Sequence, residues 1–231
     1  MPGAAGEEGA ATNKQRDARR SREVILDAAE RLFAKRGYEG ASLKEIGEAA
    51  GLSRGTPAYF FGSKQGLYAA VKERLAEYVW EFAEQARSTD GSAANAETHG
   101  TPREAIADAA RAYIDFLASR PSYVRFIERE AAGEDAFLRS APEASEEAKN
   151  LAASLAEFGN QFLERELERD GHPLQYEEVR RLSASMCAVC CFPFLLGGGL
   201  FTTFGLDPSE PGFTEEHKEH AVRFILRGIY G

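Results

Sequence analysis

Between Ser42 and Lys64 the chain has room for two short helices and little else. The run reads SLKEIGEAAGLSRGTPAYFFGSK. Ser42 with Glu45 three residues on is a capping box, which opens a helix over Leu43–Ala50. Gly51 takes a tight turn, and Ser53 is placed to cap a second helix over about Arg54–Phe61. Ser63 can cap a third from Lys64. Gly47, Ala49 and Ala50 are small enough to let the first two helices approach closely. Two short helices on a three-residue turn make a helix-turn-helix, and the second is too short to build a core of its own.

The flanking sequence supplies that core. From Ser21 the apolar residues fall at Val24/Ile25, Ala28/Ala29 and Leu32/Phe33, a helical spacing that Gly37 ends. From Lys64 the same spacing continues through Leu67, Val71, Leu75 and Tyr78 to Arg87, with Phe61 and Leu67 expected to face Phe33 and Ile46. Residues 21–66 are therefore expected to form a three-helix head. Residues 1–20 show no apolar period and are expected to be a disordered arm, basic at Lys14, Arg16, Arg19, Arg20 and Arg22. After a polar loop beyond Arg87, Thr101-Pro102-Arg103-Glu104 restarts a helix with Pro at its first position. Its apolar face carries Ile106, Ala109, Tyr113 and Phe116/Leu117. Pro121 opens the next helix. A long one follows on Leu151, Leu155, Phe158 and Phe162, closing at Gly171. Two more run through Val179, Leu182, Met186 and Cys190, and from Thr214 to the end. No segment alternates as a strand does. The fold class expected is all-α, with a helical body over residues 67–231.

The net charge of −9 is divided unevenly. Met1 to Arg74 holds 13 Lys and Arg against 10 Asp and Glu, a balance of +3; the remainder holds 15 against 27, a balance of −12. Either this is ordinary surface variation, or a mildly basic head is carried on an acidic body. Residues 1–11 are small and acidic, so no signal peptide is read there. The three cysteines all lie within Cys187–Cys191, which does not fit a secreted disulfide framework, and a cytoplasmic location is expected.

Ser53-Arg54-Gly55-Thr56 displays a guanidinium, hydroxyls and bare N–H groups, which bond phosphate oxygens and base edges. Ser63-Lys64 adds a helix N-terminus with a lysine, a second anion site. With VILDAAERLFAKRGYEGASLKEIGEAAGLSRGTPAYFFGSKQGLY around them, about 60 residues resemble the DNA-binding domain of TetR-type transcriptional regulators. The resemblance implies a homodimer on double-stranded DNA, a recognition helix in each major groove, and a C-terminal helical domain that binds a small molecule and dimerises. The expected DNA contacts are Ser42, Lys44, Ser53, Arg54, Gly55, Thr56, Tyr59, Phe60 and Lys64. Lys64 matches the family's backbone-contacting lysine. Two positions depart from the pattern: Ala58 replaces the usual phosphate-binding tyrosine, and Phe60 replaces a histidine. Pro57 lacks an N–H and, with Ser53 as cap, would forgo the first helical bond.

In the body, the aromatics read either as core or as the lining of an apolar ligand cavity. The expected lining is Tyr113, Phe116, Tyr123, Phe126, Phe158, Phe162 and Met186. The expected dimer interface is a four-helix bundle through Val189, Phe192, Leu196, Ala221, Phe224, Ile225 and Ile229. Cys187, Cys190 and Cys191 with His217 and His220 have metal-ligand spacing, but buried cysteine is common core material, so no metal and no cofactor is expected. Leu182–Leu206 carries no charge and has the length of a membrane span; Pro193 and the run of glycines argue for burial between subunits instead. No phosphate loop, HExxH or nucleophile–His–acid ordering occurs, so no enzyme is expected. The rival reading is an all-α small-molecule carrier or enzyme with a vestigial head.

Overall fold

A computed structural model describes residues 4–89, 100–132, 142–196, 199 and 201–231. Among these the regular structure is helical, with no strand. The helices are α1 (Ala4–Arg36), α2 (Leu43–Ala49), α3 (Thr56–Phe61), α4 (Lys64–Thr89), α5 (Pro102–Ala118), α6 (Pro121–Ala132), α7 (Pro142–Arg169), α8 (Tyr176–Leu196) and α9 (Phe213–Tyr230). A 3-10 turn lies at Phe201–Phe204. The chain divides into two compact units: Met1–Leu75 with Arg129–Ala144, and Ala76–Glu128 with Ser145–Gly231.

The first unit is built on α1–α4. Ile25, Ala28, Ala29, Phe33, Ile46, Leu67, Tyr68 and Val71 are buried, the stripe that helical spacing places inward. Tyr68 is fully buried and meets Phe33 and Tyr38 edge-on, each at 4.9 Å between ring centres. Phe61 is only half-buried and lies under the Arg22 guanidinium at 4.5 Å. Arg74 of α4, 11% exposed, holds three acids of α1: it bonds Glu30, reaches Asp27 at 2.7 Å and approaches Glu23 at 3.9 Å. Arg129 donates to the Ala34 and Lys35 carbonyls at 3.0 and 3.1 Å, satisfying acceptors that the end of α1 leaves open.

The disordered arm expected over residues 1–20 is helical from Ala4, because α1 runs unbroken from there to Arg36. Alanine, glutamate, lysine and arginine dominate that stretch, and side-chain propensity carries a helix that apolar periodicity does not announce. Residues 15–20 are exposed throughout.

The second unit has one main core. Ile106, Ala107, Ala110 and Ile114 of α5 pack with Leu163 and Leu167 of α7, Val179 and Cys190 of α8, and Ala221, Val222 and Ile225 of α9. A smaller cluster joins Val79, Phe116, Leu117 and Val124. Thr101 and Glu104 form the capping box of α5, with Pro102 in its first turn. Gly171 adopts φ 74° after α7, and α9 starts at Phe213, one residue before the expected Thr214. Leu151 and Leu155 have side chains outside the described residues, as does the polar loop at 90–99.

By length and apolar composition α8 is sufficient to cross a membrane. Three of its residues, Val179, Cys190 and Pro193, are buried within the unit. A core helix of a globular unit satisfies the same criterion, so composition here does not mark a span.

Candidate nucleic-acid interface

The helix-turn-helix starts with α2. The Ser42 hydroxyl accepts from the Glu45 N–H, and the Glu45 carboxylate accepts from the Ser42 N–H and hydroxyl, at 3.3, 3.1 and 2.6 Å. The Ser42 hydroxyl and Arg36 hold the Glu45 carboxyl below its ordinary pKa, so the box stays ionised at neutral pH. Gly51 turns the chain at φ 68°, where a side chain would be strained. Gly47 then sets the spacing between α2 and α3. A Cβ there would lie 2.9 Å from the Ser53 carbonyl oxygen and 3.3 Å from the ring of Pro57. Of the three small residues expected at this crossing, Gly47 makes it; Ala49 is exposed.

The second helix, α3, begins later than its sequence suggests. Gly55 is the N-cap of α3, and Ser53 instead hydrogen-bonds the Thr56 hydroxyl at 2.7 Å. Pro57 therefore falls in the first turn, where no N–H is required; the first helical bond runs from the Tyr59 N–H to the Gly55 carbonyl at 3.1 Å. The cost expected from a Ser53 cap does not arise. Pro57 is buried against Gly47, which ties α3 down at its start.

What remains is a polar, open edge. Ser53, Arg54, Gly55 and Tyr59 are exposed, and Tyr59 is 84% exposed, an unusual degree for an aromatic in a core-bearing domain. No atom lies within 4 Å of where a Gly55 side chain would be. Arg54 rests on Glu48 at 2.7 Å, an exposed pair that water and salt screen. Tyr59 and Phe60 meet edge-on at 5.2 Å. Lys44 is exposed on α2. Lys64 stands over the Tyr38 ring at 4.4 Å and approaches the Glu39 carbonyl at 3.5 Å, beside the start of α4, where the Ser63 hydroxyl accepts from the Gly66 N–H. Thr56, Ala58 and Phe60 are half-buried. Tyr38 and Gly47, absent from the expected set, position Lys64 and α3 respectively; the only sequence signal for Gly47 was its small size.

This arrangement has known counterparts. Residues 25–71 match the bacterial regulatory proteins of the tetR family. The head belongs to the TetR family. The HTH-type transcriptional repressor AcnR of Corynebacterium glutamicum is 45% identical over 65 residues, which are 26% of this chain and 35% of that repressor. The HTH-type regulator TtgR of Pseudomonas putida is 36% identical over 74 residues, 32% of this chain and 35% of its own. The chain thus matches about a third of the length of these relatives. The whole fold is also similar to that of PfmR, a TetR-family regulator from Thermus thermophilus, at TM-score 0.64 over 90% of this chain and 99% of that one, with 19% identity. A Bacillus subtilis regulator, FadR in complex with stearoyl-CoA, gives TM-score 0.60 at 17% identity over 90% and 99%. At such identity the likeness is one of fold.

In the second unit the expected ligand residues separate. Tyr113, Phe116 and Tyr123 join Phe82, which the sequence reading did not include, in one aromatic cluster with centre distances of 4.9–6.5 Å. Phe162 and Met186 pack against the main core, as does Tyr113, which touches both clusters. Phe126 is buried and Phe158 half-buried.

The expected interface residues divide too. Ala221 and Ile225 are buried in the chain's own core, and Val189 and Ile229, half-buried, pack against it. The spacing of Ala221 and Ile225 on α9 marked a buried stripe, and periodicity alone does not say which neighbour covers it. Phe192, Leu196 and Phe224 are exposed. The His217 ring nitrogen lies 3.3 Å from the Cys190 carbonyl oxygen rather than beside a thiol.

Proposed function

We propose that this chain is a ligand-responsive transcriptional repressor of the cytoplasm, binding a palindromic operator on double-stranded DNA as a homodimer. The observation that carries this reading is the close crossing at Gly47, which holds α3 against α2 while leaving Arg54, Gly55 and Tyr59 open. Such a helix is accessible to the major groove, with its first turn toward base edges. Lys44 and Lys64 add charges suited to the phosphates on either side.

The homodimer is supported by Phe192, Leu196 and Phe224, large apolar side chains that the chain itself leaves uncovered on α8 and α9. A symmetric pairing of those helices would cover them. The effector is read as an apolar small molecule, from the aromatic cluster around Tyr113 and Phe116. Ligand acts by population shift: it must favour a DNA-incompetent arrangement of the two heads over the competent one. Helix α4 is the covalent link, since Lys64–Leu75 belongs to the first unit and Ala76 onward to the second.

Titrating the purified protein onto duplex DNA across a salt series tests the reading. A regulator loses affinity steeply as salt rises, because phosphate contacts release counterions. A carrier or enzyme with a vestigial head shows no such binding.

A further inference from the structure

The amino-terminal half of α1 serves neither the core of the head nor the helix-turn-helix. Lys14 to Arg22 carries five Lys and Arg against one acid, Asp17. This segment is part of α1, so its side chains point in defined directions. Arg16, Arg19 and Arg20 fall within a sector of about 100° around the helix, and the fully buried Ile25 lies about 180° from Arg16. The arginine sector thus faces away from the head's own core, and all three side chains are exposed.

Their charge is uncompensated. Among the described residues these three guanidiniums have no acidic partner, whereas Arg36, Arg54 and Arg74 of the same unit are held by Glu45, Glu48 and Glu30. Further along the same face, Glu23, Asp27 and Glu30 are drawn to Arg74 of α4, which leaves the arginines unpaired. Like charges three and four residues apart repel along a helix, a cost that an anionic partner removes.

Their position says which anion. Arg22, at the inner end of the segment, lies over the Phe61 ring at 4.5 Å, and Phe61 is the last residue of α3. Lys64 opens α4 three residues on. The basic segment therefore leaves the head beside the end of the helix proposed to enter the major groove. The next surface a docked head meets there is the flanking sugar–phosphate backbone. Helix α3 has little of its own for that backbone: of its six residues only Thr56 and Tyr59 carry a side-chain donor.

We propose that Arg16, Arg19 and Arg20 form a second DNA contact, binding backbone phosphates outside the base pairs that α3 reads and lengthening the site at each end. This role rests on the regulator reading. It is sequence-blind, because a guanidinium pairs with phosphate oxygens whatever the base.

The test uses the full-length protein and a duplex it selects from a random pool, made in two lengths. One holds the selected base pairs alone; the other adds about one helical turn of arbitrary sequence on each side. The wild type should bind the longer duplex at least about tenfold more tightly at moderate salt. Changing the flanking sequence should leave that gain intact. R16A/R19A/R20A should abolish the gain and make log affinity against log salt shallower, by about one unit for each phosphate contact removed. Alanine favours the helix, so far-UV circular dichroism should be unchanged. R16K/R19K/R20K should retain most of the gain, because the charge remains. A triple-alanine variant that keeps both the gain and the salt slope would overturn the contact, as would a gain that follows the flanking sequence rather than its length. Wild type that enriches no duplex overturns the regulator reading and this contact with it; enrichment without a length effect defeats the contact alone.

Discussion

A methyl group on Gly47 would lie 2.9 Å from the backbone carbonyl oxygen of Ser53. Backbone cannot swing aside as a flexible side chain can, so G47A must push α3 away from α2. Overpacking of this kind costs about 1–3 kcal/mol. The expected outcome is that loss in a denaturant melt of the head, together with weakened DNA binding. G55A is the control for the clash, because its site is empty. Its backbone at φ −86° and ψ −14° suits alanine and it makes no side-chain cap bond, so the melt should shift by less than about 1 kcal/mol. Equal melts for the two variants would contradict the crossing as described.

Arg74 and Glu30 supply the second prediction. The guanidinium is nearly buried between Glu30 and Asp27, and methionine in its place leaves Glu30 largely enclosed without that partner. Removing one member of a fully buried pair costs about 3–5 kcal/mol. Asp27 is half exposed and screened, so R74M should cost about 1–3 kcal/mol, measured by urea unfolding. A loss below about 0.5 kcal/mol, the range of an exposed pair, would show that the cluster is solvated.

Much of this was legible in the sequence. Caps and glycine stops delimited α2, α4 and α5 nearly to the residue, because Ser42, Ser63 and Thr101 answer a local need for hydrogen bonds. Local chemistry misled at α3, where Ser53 is a good cap in isolation but Gly55 takes the position once Pro57 packs on Gly47. Tertiary choices were hidden. Nothing in the spacing of Ala221, Phe224, Ile225 and Ile229 says that the first and third are buried while Phe224 is 57% exposed. Nor does the sequence bring Tyr113 to Cys187, 74 residues away.

His217 makes stability depend on pH. Burial holds its pKa below the ordinary value, against the opposing bond to the Cys190 carbonyl. The unfolded chain therefore takes up a proton near about pH 6.5 before the folded one does. Its contribution is complete above about pH 6.5 and is lost as pH falls through the folded value. Urea midpoints for the wild type should drop between about pH 7 and pH 5.5, and H217Q should flatten that drop. An unchanged slope in H217Q would assign the dependence to other groups.

Phe192 and Phe224 carry the proposed self-association. F192E and F224E place charges on a face that is exposed in the single chain, at 47% and 57%, so the fold should be retained. Sedimentation should show a monomer for each and a dimer for the wild type. Truncation near Pro208 is a poorer test than either, because it removes Ala221, Val222 and Ile225 from the core. A stable dimer of the F192E/F224E double variant would place the interface elsewhere.

Whether α3 reads DNA is decided by a titration. The wild type and R54A are titrated onto a duplex selected by the wild type from a random pool, at several salt concentrations. A two-fold symmetric selected sequence is expected, with affinity falling steeply as salt rises. R54A should lose about 1–3 kcal/mol on that sequence and much less on unrelated DNA, as a base-reading side chain does. No enrichment from the pool, or an R54A affinity equal to that of the wild type on the selected sequence, would show that α3 does not read bases through Arg54.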